Sequence, residues 1–166
     1  MRNFNSKGFA AIVSVLLTSV MALTLTACNI DAPGTTEYVD SVRQDMLQAV
    51  NLTRKLKEQQ KKLDARSIDD ATKNMETLDQ LDNIYSDLIK LESPSKYDDL
   101  NDDIKKNAKS ALAYTKELKS LVSAAMNTGN DSLYKQDNKH IMEQYEENYT
   151  ALVDLSSQVT TRYRNN

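Results

Sequence analysis

The sequence predicts an all-α protein, an antiparallel up-down four-helix bundle placed behind one N-terminal apolar segment. Three observations predict it. Between Val39 and Val159 apolar residues recur at steps of three, four or seven along four long stretches, the spacing that gathers side chains on one helix face. Breaks with recognisable start and stop chemistry fall near Ser67, Pro94 and Gly129. Strand-type alternation of apolar and polar residues is missing from the sequence.

The first stretch places Val39, Val42, Met46, Ala49, Thr53, Leu56, Gln60 and Leu63 on one heptad seam. Thr53 and Gln60 interrupt its apolar character, so an alternative has the first two helices extending away from a smaller bundle. Asp64 to Ser67 breaks the period. Ser67-Ile-Asp-Asp70 then matches a capping box with Asp in the place of Glu, the Ser67 hydroxyl accepting a free N–H of the new first turn.

Met75, Leu78, Leu81, Ile84, Tyr85, Leu88 and Leu91 give the second helix a stripe wide enough to touch two neighbours. Ser93-Pro94-Ser95 ends it, because proline disfavours helical geometry in the residue before it and clashes with a continuing turn. Ser95 is the expected cap of the third helix. There Tyr97, Leu100, Ile104, Ala111, Tyr114, Leu118, Leu121 and Ala125 carry the pattern to a stop at Asn127-Thr-Gly129-Asn-Asp131. The fourth helix runs from about Ser132 to Tyr163, with Tyr134, Ile141, Tyr145, Leu152, Leu155 and Val159 as its seam and Met142, Tyr149 and Val153 widening it. Short breaks between long helices force neighbours to run antiparallel.

The N-terminal segment follows a different rule. Arg2 and Lys7 are the only charges before Asp31, and FAAIVSVLLTSVMALTLTA from Phe9 to Ala27 is a positive n-region followed by an apolar h-region. That length also suits a transmembrane helix. Two features argue against a retained span: small residues lead into a cysteine, and no Lys or Arg follows until Arg43.

Leu25-Thr-Ala-Cys28 resembles the lipobox of bacterial lipoproteins, an aliphatic residue and two small residues before an obligatory cysteine. The resemblance implies a signal peptide over residues 1–27, diacylglycerol on the Cys28 sulfur, cleavage after Ala27 and a palmitate-type lipid anchor. Residues 28–36 are then a lipidated tether with a reach of about 25 to 30 Å, and residues 37–166 the helical bundle domain. Two acyl chains at ~0.8 kcal/mol per buried CH₂ anchor stably where one would be marginal. The segment LIKLESPSKYDDLNDDIKKNAKSALAYTKELKSL also resembles the helix, proline, helix unit of small uncharacterised surface lipoproteins from Gram-positive bacteria, which implies no biochemical activity.

Cysteine and charge counts narrow the function classes. A lone cysteine occupied by lipid leaves neither a disulfide nor a thiol nucleophile, so the domain relies on its packed core. Cleavage removes Arg2 and Lys7 from the 21 basic residues and none of the 24 acidic ones, moving the formal net charge from −3 to −5. Nucleic acid and anionic lipid surfaces are disfavoured as partners, since each neutralised phosphate needs a Lys or Arg.

Four constellations are the candidates for chemistry. Asp137 and His140, at i and i+3, form one half of a di-iron bundle motif whose other half is missing, and a solvated pair is the simpler account. Asp99, Asn101 and Asp103 imitate the first three ligands of a calcium loop, but Ile104 stands where the loop needs Gly and Ser110 where it needs Glu. Carboxylates in a first helical turn oppose the positive end of the helix dipole, each contributing about 0.3 to 1 kcal/mol. Arg54, Lys55, Lys57, Lys61 and Lys62 suit a helix C-terminus for the same reason, as do Lys116 and Lys119; as a polymer- or phospholipid-binding patch the run from Arg54 is interrupted by Glu58. Tyr145 and Tyr149, one turn apart, could line a groove, although most buried tyrosines keep the ring in the core and the hydroxyl at its edge.

Glycine-rich phosphate loops and a serine elbow are missing as well. The sequence therefore assigns no catalytic, cofactor-binding or metal residue, and lipidation at Cys28 is its one site. The expected protein is a non-enzymatic lipoprotein on the extracytoplasmic face of the cell membrane. It is held there by the lipid on Cys28 and serves as a binding or interaction module for an envelope protein or cell-wall polymer, with no nucleic acid. The alternative is a small-ligand carrier or sensor whose pocket between the helices is enclosed by Tyr85, Tyr114 and Tyr145.

Overall fold

Four amphipathic helices pack around a shared core in a computed structural model that describes residues 34–64, 67–129 and 131–165, with the side chains of 131–136 outside that set. They are α1 (Thr35–Lys62), α2 (Ile68–Lys90), α3 (Asp98–Thr128) and α4 (Asp131–Arg164), with a 3₁₀ turn at Ser95–Tyr97. No strand occurs among the described residues.

Contacts between helices establish the antiparallel order. Gln59 Nε2 donates to the Lys73 carbonyl across α1 and α2 at 3.1 Å. Asp79 and Asp82 meet Lys119 across α2 and α3, and Asp99 meets Arg162 across α3 and α4. The ring closes where the Thr36 and Tyr163 hydroxyls lie 3.2 Å apart, at the start of α1 and the end of α4. Each helix thus packs on its chain neighbours, and α1 also packs on α4, the sparsest of the four seams. The chain is an all-α up-down four-helix bundle, and all four helices contribute to one main core. The extended arrangement of α1 and α2 is not adopted.

Helix boundaries follow local chemistry. Gly34, at φ 81°, precedes α1, and its carbonyl accepts from Tyr38 N–H at 3.0 Å. Helix α1 begins at Thr35, inside the stretch read as tether, and Thr35 is fully buried. Ser67 Oγ accepts from Asp70 N–H at 3.2 Å, the forward half of the capping box. The return half is absent, because Ser67 N–H donates to the Asp64 carbonyl instead. Gly129 stops α3 at φ 61°, a left-handed conformation that any side chain would strain.

The α2–α3 connection differs from the expectation in its capping. Helix α2 stops at Lys90, four residues before Pro94, and Leu91 is extended. Asn101 Nδ2 donates to the freed Leu91 carbonyl at 3.2 Å, satisfying one of the acceptors a helix end leaves open. Ser95 does not cap α3: it opens the 3₁₀ turn, and Tyr97 occupies the cap position without a side-chain bond. Ser93 instead donates from Oγ to Asp98 Oδ1 at 2.7 Å. The proline fixes an extended entry, so the serine on its far side reaches the first turn.

Every seam extends further than its apolar members. Tyr97, Asn101, Ile104, Ala108, Ala111, Thr115, Leu118, Val122 and Ala125 step strictly by four and three along α3, and all are buried. In α1 the seam from Val39 to Leu63 is buried except at Gln60, which is half-buried. Tyr114 and Ile141 sit only half-buried at the core's edge. The main core ends at the level of Leu56, Leu78, Leu118 and Met142, and a second small cluster of Leu63, Ala71, Val122 and Ala125 lies beyond it.

Candidate functional site

Inward-facing polar groups hold the chemistry of this bundle, because an antiparallel core leaves them only each other as partners. At its centre Tyr145 of α4 is fully buried, and its hydroxyl lies 2.7 Å from Thr53 Oγ1 of α1 and 2.7 Å from the Tyr85 hydroxyl of α2. The Tyr85 ring meets the Tyr145 ring edge-on at 6.3 Å, and Tyr149 stacks on Tyr145 at 6.1 Å. Burial pushes the Tyr145 hydroxyl up to about 12, and burial raises Tyr85 and Tyr149 as well. All three stay protonated at neutral pH, and the chain of hydroxyls from Thr53 through Tyr145 to Tyr85 is neutral. Thr53, a defect of the apolar seam, is the residue that anchors it.

At the Gly34 end a second network crosses the other diagonal. Tyr38 of α1 donates to Asn101 Oδ1 of α3 at 3.3 Å, and its ring tilts against Tyr97 at 5.3 Å. Arg162 of α4 grips Asp99 with both guanidinium nitrogens, at 2.6 and 2.8 Å, and donates to the Lys96 carbonyl at 2.7 Å. The hydrogen bonds from Arg162 hold the Asp99 carboxyl down at about 2. Burial raises the Tyr38 hydroxyl, with Tyr97 and Asp99 adding to it.

On the α2–α3 face Lys119, one-fifth exposed, sits between Asp79 at 2.5 Å and Asp82. Burial works against its charge, but the hydrogen bonds to the two aspartates outweigh it and raise its pKa. The Thr115 hydroxyl is shared between Asp82 and the Leu112 carbonyl.

The sequence-derived candidates separate in space. Asp137 and His140 are both exposed. Asp99 and Asp103 face solvent while Asn101, two residues from each, is buried and engaged by Tyr38 and Leu91, so the three oxygens do not converge. A helix turns about 100° per residue, which sends alternate residues to opposite sides. Of the basic run, Lys57 turns inward to pair with Glu146 at 2.9 Å while Arg54, Lys55, Lys61 and Lys62 are exposed. Tyr145 and Tyr149 are buried in the core instead of lining an open groove, and Tyr114 reaches only Gln144, at 3.5 Å. Among the described residues no three His, Cys, Asp or Glu side chains are grouped to hold a metal ion. Cys28, and with it the lipobox, lies outside the described residues.

Asn74, Asn101 and the Asp82–Thr115–Lys119 group escape a reading that follows apolar residues alone. Their signal was present: stepping four residues back from Leu78, or four on from Tyr97, lands on the two asparagines. In comparisons with family models, curated proteins and solved structures, the chain matches none.

Proposed function

We propose that this chain is a bacterial lipoprotein, tethered through diacylglycerol on Cys28 to the extracytoplasmic face of the cell membrane. Its bundle would serve there as a non-catalytic interaction module for another envelope protein or a cell-wall polymer. The observation that carries the reading is Leu25-Thr-Ala-Cys28 at the end of the apolar run. No helix among the described residues is long and apolar enough to cross a membrane. With α1 starting at Thr35, the link from Cys28 is short, about 20 to 25 Å at full extension.

Two features support an interaction role. The Tyr85 and Tyr145 hydroxyls engage each other, and Tyr145 also engages Thr53, which leaves these two less available to a ligand between the helices. Ile68 at the start of α2 and Met126 near the end of α3 are the large hydrophobics that the described residues leave exposed, Ile68 at 74%. Both lie at the bundle end opposite Gly34, the end a membrane tether would present outward.

Metabolic labelling with an alkynyl fatty acid in the native host tests the anchor. The full chain is expected to take label and the Cys28→Ala variant none; an unlabelled chain with residues 1–27 still attached would overturn the reading. Photo-crosslinking from positions 68 and 126 of the labelled lipoprotein tests the role. A discrete envelope adduct that Ile68→Ser weakens is the expected result. Failure to recover a macromolecule, together with thermal stabilisation by a small metabolite, would favour the carrier.

A further inference from the structure

The bundle contains two fully inward asparagines with opposite fates. Asn101 is 3% exposed and uses both ends of its carboxamide, accepting from Tyr38 and donating to the Leu91 carbonyl. Asn74 is 0% exposed, and neither its Nδ2 nor its Oδ1 has a hydrogen-bond partner.

Asn74 is not isolated in that condition. Gln60 Nε2, Gln59 Oε1 and Asn138 Oδ1 are also buried atoms without partners. Gln60 continues the α1 seam four residues after Leu56, Asn74 precedes Leu78 by four in α2, and Asn138 precedes Met142 by four in α4, so each occupies an inward heptad position. The hydrogen bond from Gln59 to the Lys73 carbonyl brings Asn74 level with Gln59 and Gln60. Thr53 against Tyr145 sets the α1–α4 register, and two turns from each lead to Gln60 and Asn138. The same level separates the main core from the small cluster of Leu63, Ala71, Val122 and Ala125.

A buried amide atom without a partner costs about 1 to 3 kcal/mol, and a layer of them cannot persist dry in a stable fold. We propose that this layer is an internal hydration site, in which ordered water bridges Asn74 to Gln60 of α1 and Asn138 of α4. The donors and acceptors are uncharged and mixed, which matches water, a molecule that typically makes about three hydrogen bonds when buried. Gln60 is thereby joined to α2 and α4 through solvent, beside the direct bonds that Lys57 and Gln59 make from the same stretch of α1.

The test uses the full chain, uniformly labelled and solubilised in detergent. Rotating-frame Overhauser transfer from water to the Asn74 Nδ2 protons is expected, with the sign of a long-lived bound molecule. Asn74→Leu, which keeps the number of side-chain heavy atoms, is expected to lower the Tm by about 3 to 6 °C, because Gln60 and Asn138 lose the bridge. Absence of the transfer overturns the proposal. So does an unchanged or higher Tm in Asn74→Leu, the result for a dry layer, in which leucine would remove an unpaid desolvation. If the leucine variant does not fold, the transfer in the unsubstituted chain decides alone.

Discussion

Tyr85 and Tyr145 join α2 to α4 across the bundle through hydroxyls 2.7 Å apart, and Thr53 extends the same chain to α1. Three helices are thus pinned by groups that a purely apolar core would not contain. Tyr145 is the central member, so Tyr145→Phe leaves both Thr53 and Tyr85 without this partner. We expect a loss of about 2 to 3 kcal/mol in urea unfolding. Thr53→Val removes only one end of the chain and is expected to cost about 1 kcal/mol. Equal losses from the two substitutions would show that the hydroxyls do not act as a linked chain.

Arg162 and Asp99 close the Gly34 end of the bundle. Arg162→Ala removes the grip on Asp99 and the bond to the Lys96 carbonyl together. Hydrogen exchange is the direct measurement: amides between Leu91 and Asp98 should exchange several-fold faster, with little change around Tyr145. The acid limb follows from the sign of the shift. A carboxyl lowered to about 2 stabilises the fold above its ordinary 3.8, and that contribution is lost as pH falls through about 2. Arg162→Ala should therefore flatten the acid end of the stability profile.

Asp45 moves in the other direction. Burial, with Asp87 opposite, raises its pKa to about 6, and Asp87 is itself 3.7 Å from Lys90. The folded chain then holds a proton that the unfolded chain releases near 3.8, so stability falls as pH rises from about 4 through 6. Asp45→Asn keeps the shape without the ionisation. It should stabilise the protein at pH 7 by about 1 kcal/mol, solvent screening at this half-buried site having reduced a larger shift. The gain should vanish at pH 4.

Lys119 neutralises Asp82, which is 16% exposed and also receives the Thr115 hydroxyl. Lys119→Met leaves that carboxylate without its closest cation. A loss of about 1 to 3 kcal/mol is expected at pH 7. Adding Asp82→Asn should recover most of it, and a double variant no better than the single would count against the pairing.

The helices were legible from their periodicity because each seam is a property of one segment. The stop at Gly129 and the start at Ser67 were legible because their chemistry is local. The Ser95 cap was misplaced for a related reason: once Pro94 holds the entry extended, the choice between Ser93 and Ser95 depends on the path of the turn. Thr53 and Gln60 looked like equivalent weaknesses in the α1 seam. In the fold they part, Thr53 gaining the Tyr145 hydroxyl and Gln60 keeping an unpartnered amide nitrogen.

By itself the sequence determined four helices, their apolar faces and the lipobox-like tetrapeptide ending at Cys28, because these depend on spacing and on side chains a few residues apart. Only the tertiary structure decided which inward polar groups are satisfied. Tyr145 finds Thr53 from 92 residues away and Tyr85 from 60, and Tyr38 finds Asn101 from 63. Such pairings require the rotational phase and register of two helices to be set together, a condition imposed by packing the whole core and written in no single segment.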